Sequence, residues 1–185
     1  MTDTARNAAI GFGAGRKFFH WSIVLFLAFQ IPLGLYMTEL PLGPDKLETY
    51  SLHKATGMII FTLAISRLVW ALFSSRPPLP RTTPLYEKIF VKVLQAILYL
   101  VVCLMPLSGW MMTSAAGYPL SIFGLFTLPP LIDANKALVD GFIRMHEMQS
   151  WILMGAIILH FAGAMRHHVL LKDDTLKNIL PGKKQ

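Results

Sequence analysis

The sequence predicts an all-α integral membrane protein, a four-helix bundle with both termini on the cytoplasmic side. Three observations lead there. The chain is apolar: 54% of its 185 residues are hydrophobic and 15% are charged, against roughly 25% charged in a soluble domain. Its apolar residues gather in four runs, each near the roughly 20 residues a spanning helix needs. Lysine and arginine are distributed unevenly among the segments between those runs.

The first run, "FFHWSIVLFLAFQIPLGLYM" (18–37), holds no Asp, Glu, Lys or Arg. Arg16 and Lys17 ahead of it resemble the charged start of a signal peptide. The run is longer than the usual apolar core of about 7–15 residues, and "TELPLGPD" after it offers no small-x-small cleavage site, so it is read as a span. The second, "SLHKATGMIIFTLAISRLVWALF" (51–73), has one Lys near its start and one Arg toward its end. The third, "IFVKVLQAILYLVVCLMPLSGWMM" (89–112), has one Lys near its start, and the fourth, "MHEMQSWILMGAIILHFAGAMRHH" (145–168), is apolar between polar ends. Together they take about half the chain, so residues 1–185 read as one transmembrane domain.

Thirteen of the 17 Lys and Arg lie in the N-terminus, the 74–88 loop, the C-terminus and the adjoining span ends. Lys46, Lys54, Lys136 and Arg144 lie on the other side. Positive residues mark the cytoplasmic side, so both termini point inward. The net charge of +7 then reflects topology and attraction to anionic lipid, not nucleic-acid binding. "RPPLPRTTP" (76–84) reads as a stiff cytoplasmic link. On the outer side the 38–50 loop is short and polar. The 113–144 loop carries "GYPLSIFGLFTLPPLI" (117–132), too short and interrupted to span; it is expected at the outer interface or dipping into the bundle, where it would cover a cofactor.

The single cysteine, Cys103 in span three, reads as a small hydrophobe. One cysteine excludes both an internal disulfide and a C-x-x-C-H covalent haem attachment.

All six histidines fall in or beside a span: His20, His53, His146, His160, His167 and His168. Polar side chains at membrane depth are costly and are usually paired or functional. His167 and His168, beside Arg166 and Lys172, are placed to face headgroups. His146 and His160 are fourteen residues apart, about 40° short of four full turns and about 21 Å of rise. Span four therefore offers one imidazole to each of two levels. Span two starts at the outer face, which puts His53 level with His146; span one starts at the inner face, which puts His20 level with His160.

Two histidines at each level, with no cysteine, cannot fill a structural zinc tetrahedron. The Glu-x-x-His pairs of di-iron bundles are missing. A haem iron brings four porphyrin nitrogens and needs only axial ligands, and two imidazoles close its coordination sphere for electron transfer. Gly57, one turn from His53, and Gly163 and Ala164, one turn from His160, leave room for a flat macrocycle or for helix packing. Arg67 lies at the depth of an inner haem propionate, where snorkelling to headgroups is the plain alternative. His167 is a rival to His160, only about 20° away around the helix. Periodicity leaves the two open; the about 31 Å of rise from His146 to His167 is wide for coupling between haems.

"FHW" (19–21), "HKATG" (53–57), "HEMQSWILMGAIILHFAGAMRHH" (146–168) and "KDDTL" (172–176) resemble the bacterial cytochrome b561 family over nearly the whole chain. The resemblance implies a small inner-membrane protein with two haem b groups, His20 and His160 binding one and His53 and His146 the other, thus favouring His160 over His167. Some members oxidise periplasmic superoxide and reduce ubiquinone. Lys54 and Arg144 flank the outer ligands in a loop region otherwise richer in Asp and Glu. They are candidates for steering an anion, or plain interfacial anchors.

Three functions follow: a superoxide:ubiquinone oxidoreductase; a cytochrome b subunit serving a separate dehydrogenase or hydrogenase; and, weakest for want of a deep carboxylate, an ion- or proton-handling bundle. The partners expected are membrane lipid, quinone and superoxide or another periplasmic redox donor; a homodimer is compatible with this plan. The purified protein should carry two low-spin b-type haems per chain. Pyridine haemochrome analysis against protein concentration checks this, and a ratio near one would contradict it.

Overall fold

The computed structural model describes residues 13–73 and 84–180, which form four long helices, a small hairpin and a short terminal helix. These are α1 (Ala14–Glu39), α2 (Pro44–Phe73), α3 (Leu85–Ala115), strands β1 (Leu120–Ile122) and β2 (Phe126–Leu128), α4 (Lys136–Met165) and α5 (Thr175–Ile179). A π-helical turn, Arg166–Leu171, continues α4. All four long helices are long and apolar enough to cross a membrane. No more than 17% of the most apolar stretch of each is buried inside the protein, so their remaining apolar surface suits lipid. Most of the proline-rich link expected at 76–84, with Arg76 and Arg81, lies outside the described residues, as do Arg6, Lys183 and Lys184.

The helices outrun the apolar runs because their ends are set by caps rather than by hydropathy. Pro44 opens α2, where its missing N–H is no loss. Asn135 caps α4, its side chain accepting from the Ala137 N–H at 3.1 Å. The segment read as a polar 38–50 loop is therefore largely the first two turns of α2, and the 113–144 loop ends at residue 135.

Inside that loop the all-α expectation needs a correction. β1 and β2 pair antiparallel, with Leu120 opposite Leu128, Ser121 opposite Thr127 and Ile122 opposite Phe126. The turn closes with the Leu125 N–H on the Ile122 carbonyl at 2.9 Å. Phe123 and Gly124 both have positive φ there, 52° and 73°, as tight hairpin turns demand. The hairpin packs on α2 and against the end of α3, with Leu120 buried.

Neighbouring helices pack in sequence, α1 on α2, α2 on α3 and α3 on α4. Their shared core is Ile23, Ile60, Ala64, Val101, Val102 and Leu153, with Cys103 packed against it. Leu153 is 2% exposed and lies midway in sequence between His146 and His160. The core thus separates two levels of the bundle.

At the end bearing the termini, α5 is tied back to α1. Trp21 Nε1 donates to the Ile179 carbonyl at 2.8 Å, and Lys17 Nζ to the Leu180 carbonyl at 3.0 Å. The turn into α5 is held by Asp173, which accepts from the Thr175 N–H at 2.9 Å and from His167 Nδ1 at 2.6 Å. Burial alone would raise the Asp173 carboxyl, but the hydrogen bonds from His167 and Thr175 outweigh it and hold the group below its ordinary range. A carboxyl depressed in the folded state contributes fully above its ordinary value and loses that contribution as pH falls through the depressed one. Asp173→Asn should therefore lower stability by about 1 kcal/mol or less at neutral pH, given its partial exposure. That gap to wild type should close in acid, measured by thermal denaturation across pH; a gap independent of pH would contradict the assignment.

Candidate functional site

The bundle brings four of the six histidines together in two facing pairs. His53 on α2 and His146 on α4 have ring centroids 6.4 Å apart with planes at 74°. His20 on α1 and His160 on α4 have centroids 6.3 Å apart with planes at 64°. A metal bound by two imidazoles at about 2.0–2.1 Å, with about 1.1 Å from nitrogen to ring centre, separates the centroids by about 6.3 Å. Plain aromatic contacts span about 4.5–7 Å, so distance alone does not decide. The nitrogens' partners carry more weight.

His146 Nδ1 lies 3.1 Å from the Met105 carbonyl and 3.0 Å from Ser108 Oγ. A carbonyl only accepts, so Nδ1 holds the hydrogen and Nε2 keeps its lone pair for a metal. Ser108 is buried and its hydroxyl is shared between the Met105 carbonyl and Gln149 Oε1, both at 2.7 Å. Gly109 lets the ring lie close: a Cβ there would stand 3.3 Å from His146 Cε1.

On the facing side, Gly34 does the same more tightly, since a Cβ there would stand 2.9 Å from His53 Cε1. Gln30, buried in α1, donates to the His53 carbonyl at 2.9 Å and accepts from Thr56 Oγ1 at 2.5 Å. This network fixes the α2 backbone at His53. His53 Nδ1 is buried without a hydrogen-bond partner among the described residues. A buried imidazole with an unmatched nitrogen, its ring 6.4 Å from a second imidazole held through Nδ1, fits a group that binds both.

The other pair is differently supported. His20 is stacked edge-on to Trp21 at 5.4 Å. Arg67 Nη1 is 3.5 Å from His20 Nδ1, while its Nε donates to Tyr99 Oη at 3.0 Å. The guanidinium lies over the Tyr99 ring at 5.1 Å. Arg67 is thus held beside this pair rather than snorkelling freely. His160 is exposed on α4, and a Cβ at Gly163, one turn on, would meet nothing within 4 Å.

His167 stands apart from both pairs. Its Nδ1 faces Asp173 at 2.6 Å and its Nε2 faces Glu87 at 3.3 Å. His168 is exposed. Lys54 is half-buried with Nζ 3.4 Å from the Pro119 carbonyl beside the hairpin, and Arg144 is exposed two residues before His146. Of the two uses open to Gly57 the structure shows packing: its open side is taken by Gln30 Nε2, which a Cβ would approach to 3.3 Å. Gly57 serves helix packing, and the close approach at His53 belongs to Gly34. Among the described residues no three His, Cys, Asp or Glu converge to hold a metal ion. A metal between either pair must bring most of its own ligands, as a haem iron does.

The supporting residues Gln30, Thr56, Tyr99, Ser108 and Gln149 were not singled out from the sequence. Their signal was there: Gln30, Ser108 and Gln149 are polar groups inside apolar spans, where an unpaired polar atom is costly.

A family model described as prokaryotic cytochrome b561 matches residues 11–182. Cytochrome b561 homolog 2 of Escherichia coli (strain K12) is 29% identical over 176 residues, 94% of this chain and 93% of that protein. Cytochrome b561 homolog 1 of the same organism is 25% identical over 179 residues, 94% and 98% of the two chains. A protein of Yersinia pestis named probable superoxide oxidase CybB is 28% identical over 134 residues, 72% of this chain and 75% of its own.

If each pair holds one haem, replacing a paired histidine should remove that haem alone. His53→Ala or His146→Ala should remove one haem, His20→Ala or His160→Ala the other, and His167→Ala neither. Haem stoichiometry with redox titration checks this. Loss of a haem in His167→Ala with retention in His160→Ala would reverse the assignment.

Proposed function

This chain belongs to the prokaryotic cytochrome b561 family, and from that premise we propose that it is a superoxide:ubiquinone oxidoreductase of the bacterial inner membrane. The family is one of haem b-binding electron-transfer proteins in prokaryotic membranes. In this reading residues 1–185 form one multi-pass domain, alone or as a homodimer, with the termini cytoplasmic and the hairpin outside. His53 and His146 hold an outer haem, and His20 and His160 an inner one. When bound, these haems supply one-electron chemistry across the membrane. The net reaction takes one electron from each of two superoxide ions, releasing two O2, and adds two electrons and two protons to ubiquinone.

The observation that carries the reading is the His146 ring. With Nδ1 donating to Met105 and its ring centroid 6.4 Å from that of His53, it would hold a haem iron through Nε2 with a fixed tautomer. Two such ligands leave no open position for a bound substrate, which suits outer-sphere exchange with a small donor. The remaining residues assist without touching the reacting atoms. Lys54 and Arg144 give an anion a positive approach to the His53–His146 level, against an outer side where acidic residues prevail. The apolar core around Leu153 keeps water from the space between the levels. Arg67 is the cation available to a propionate at the inner pair. Superoxide as donor is supported by the name of the Yersinia pestis relative and by this local charge.

Lys54→Gln combined with Arg144→Gln should slow haem reduction by superoxide about tenfold, within the range of electrostatic steering. A neutral reductant should reduce both proteins alike, and the wild-type rate should fall with salt. Stopped-flow absorbance checks this. Unchanged rates without salt dependence would shift weight to a cytochrome b subunit that receives electrons from a separate dehydrogenase or hydrogenase.

A further inference from the structure

Ser108 does more than satisfy its own hydroxyl. Thr62, Thr113 and Ser150 each give their hydrogen to a carbonyl three or four residues back on their own helix, at 2.9, 2.9 and 2.7 Å. That is the ordinary way for a helix to absorb a hydroxyl. Ser108 has the same contact, to the Met105 carbonyl at 2.7 Å, and needs no other. Yet its oxygen also lies 3.0 Å from His146 Nδ1 and 2.7 Å from Gln149 Oε1. These two side chains stand three residues apart on one face of α4. Ser108 is 1% exposed and Gln149 9%. A buried amide at this depth is costly, and packing alone asks only for an apolar side chain there.

The hydrogens follow from the donor inventory. The Met105 carbonyl and Gln149 Oε1 only accept, so both draw on the single hydrogen of Ser108. His146 Nδ1 brings its own, shared between Ser108 and the Met105 carbonyl at 3.1 Å. A hydroxyl drawn toward Gln149 leaves a lone pair for His146, and a hydroxyl that donates becomes a better acceptor. The chain therefore runs from His146 through Ser108 to Gln149. The neighbouring rings have nothing alike: among the described residues His53 Nδ1 has no partner, and His20 Nδ1 faces Arg67 Nη1, a donor.

We propose that Ser108, its hydroxyl turned by Gln149, is a positioning residue that strengthens His146 as a ligand and so holds down the reduction potential of a haem at the His53–His146 level. The proposal rests on the reading that those two rings hold a haem. An imidazole that donates from Nδ1 is more basic at Nε2, and a more basic axial ligand favours the ferric over the ferrous state. The step concerned is the uptake of one electron by the iron; no bond breaks, and the hydrogen on Nδ1 stays with the ring. The Met105 carbonyl is main chain and is present whatever the side chains are. Ser108 and Gln149 are the part of the contact that substitution can change.

The test is a spectroelectrochemical titration of the haem-loaded protein in lipid nanodiscs, the haem concerned being the one that His146→Ala removes. Ser108→Ala should keep both haems and raise the potential of that one alone. Its reduced-to-oxidised ratio at the wild-type midpoint should rise about threefold, in keeping with the loss of one hydrogen bond, or about 30 mV at about 59 mV per tenfold for one electron. Ser108→Thr, which keeps the hydroxyl, should restore the wild-type value. Gln149→Leu should move the same haem in the same direction by less. An unchanged potential in Ser108→Ala, an equal shift at both haems, or a Ser108→Thr protein displaced as far as Ser108→Ala overturns the proposal. If Ser108→Ala loses the haem, Gln149→Leu decides, and an unshifted potential there overturns it. Retention of both haems in His146→Ala overturns the ligand reading itself, and this proposal with it.

Discussion

An imidazole at membrane depth needs a partner for each of its two nitrogens, and much of this fold answers that requirement. In hydrocarbon there is no water to satisfy a ring nitrogen, and an unmatched one costs free energy comparable to a lost hydrogen bond. His146 meets the requirement at Nδ1 with Met105 and Ser108, and its ring stands 6.4 Å from that of His53. Ser108 is in turn shared with Gln149, one turn below His146 on the same helix. Gln30 and Thr56 bind the backbone of His53 rather than its ring, so they position the ring without occupying it. The bundle is thus held at this level by polar groups whose common effect is to present two rings to one point.

Glycine sets how near the helices come. Gly34 and Gly109 sit against the His53 and His146 rings, and Gly15 sits against Trp70, where a Cβ would come to 2.7 Å. In lipid, helix association has little hydrophobic drive and depends on such close contact. The two levels differ in kind. The His53–His146 level is ringed by small and neutral polar residues; the His20–His160 level carries Arg67, Tyr99 and Trp21. Arg67 comes within 3.5 Å of a ring nitrogen of the second pair, whereas Lys54, beside the first, has its Nζ 3.4 Å from the Pro119 carbonyl.

Much of this was legible in the sequence. The spacing of His146 and His160 on one helical face, together with the direction of each span, was enough to pair all four histidines by depth, and the folded chain brings those same residues together. Helix ends were less legible, because hydropathy marks the membrane while Pro44 and Asn135 mark the helix. The hairpin was missed because three-residue strands lie below the reach of any periodicity. Gly57 left two readings open for a related reason: small residues announce close approach but not what approaches, and here it is Gln30. The rivalry between His160 and His167 could not be broken by angle. It is Glu87 and Asp173, one of them eighty residues away in sequence, that draw His167 aside.

The central claim is that each ring pair, its planes crossed, would hold one haem iron. Low-temperature electron paramagnetic resonance of the oxidised protein tests it directly. Planes at 74° and 64° predict two low-spin ferric signals, both of the strongly anisotropic type that crossed imidazole planes produce. A high-spin signal, which needs an iron with an open or weakly held axial position, or a single low-spin species, would contradict the account.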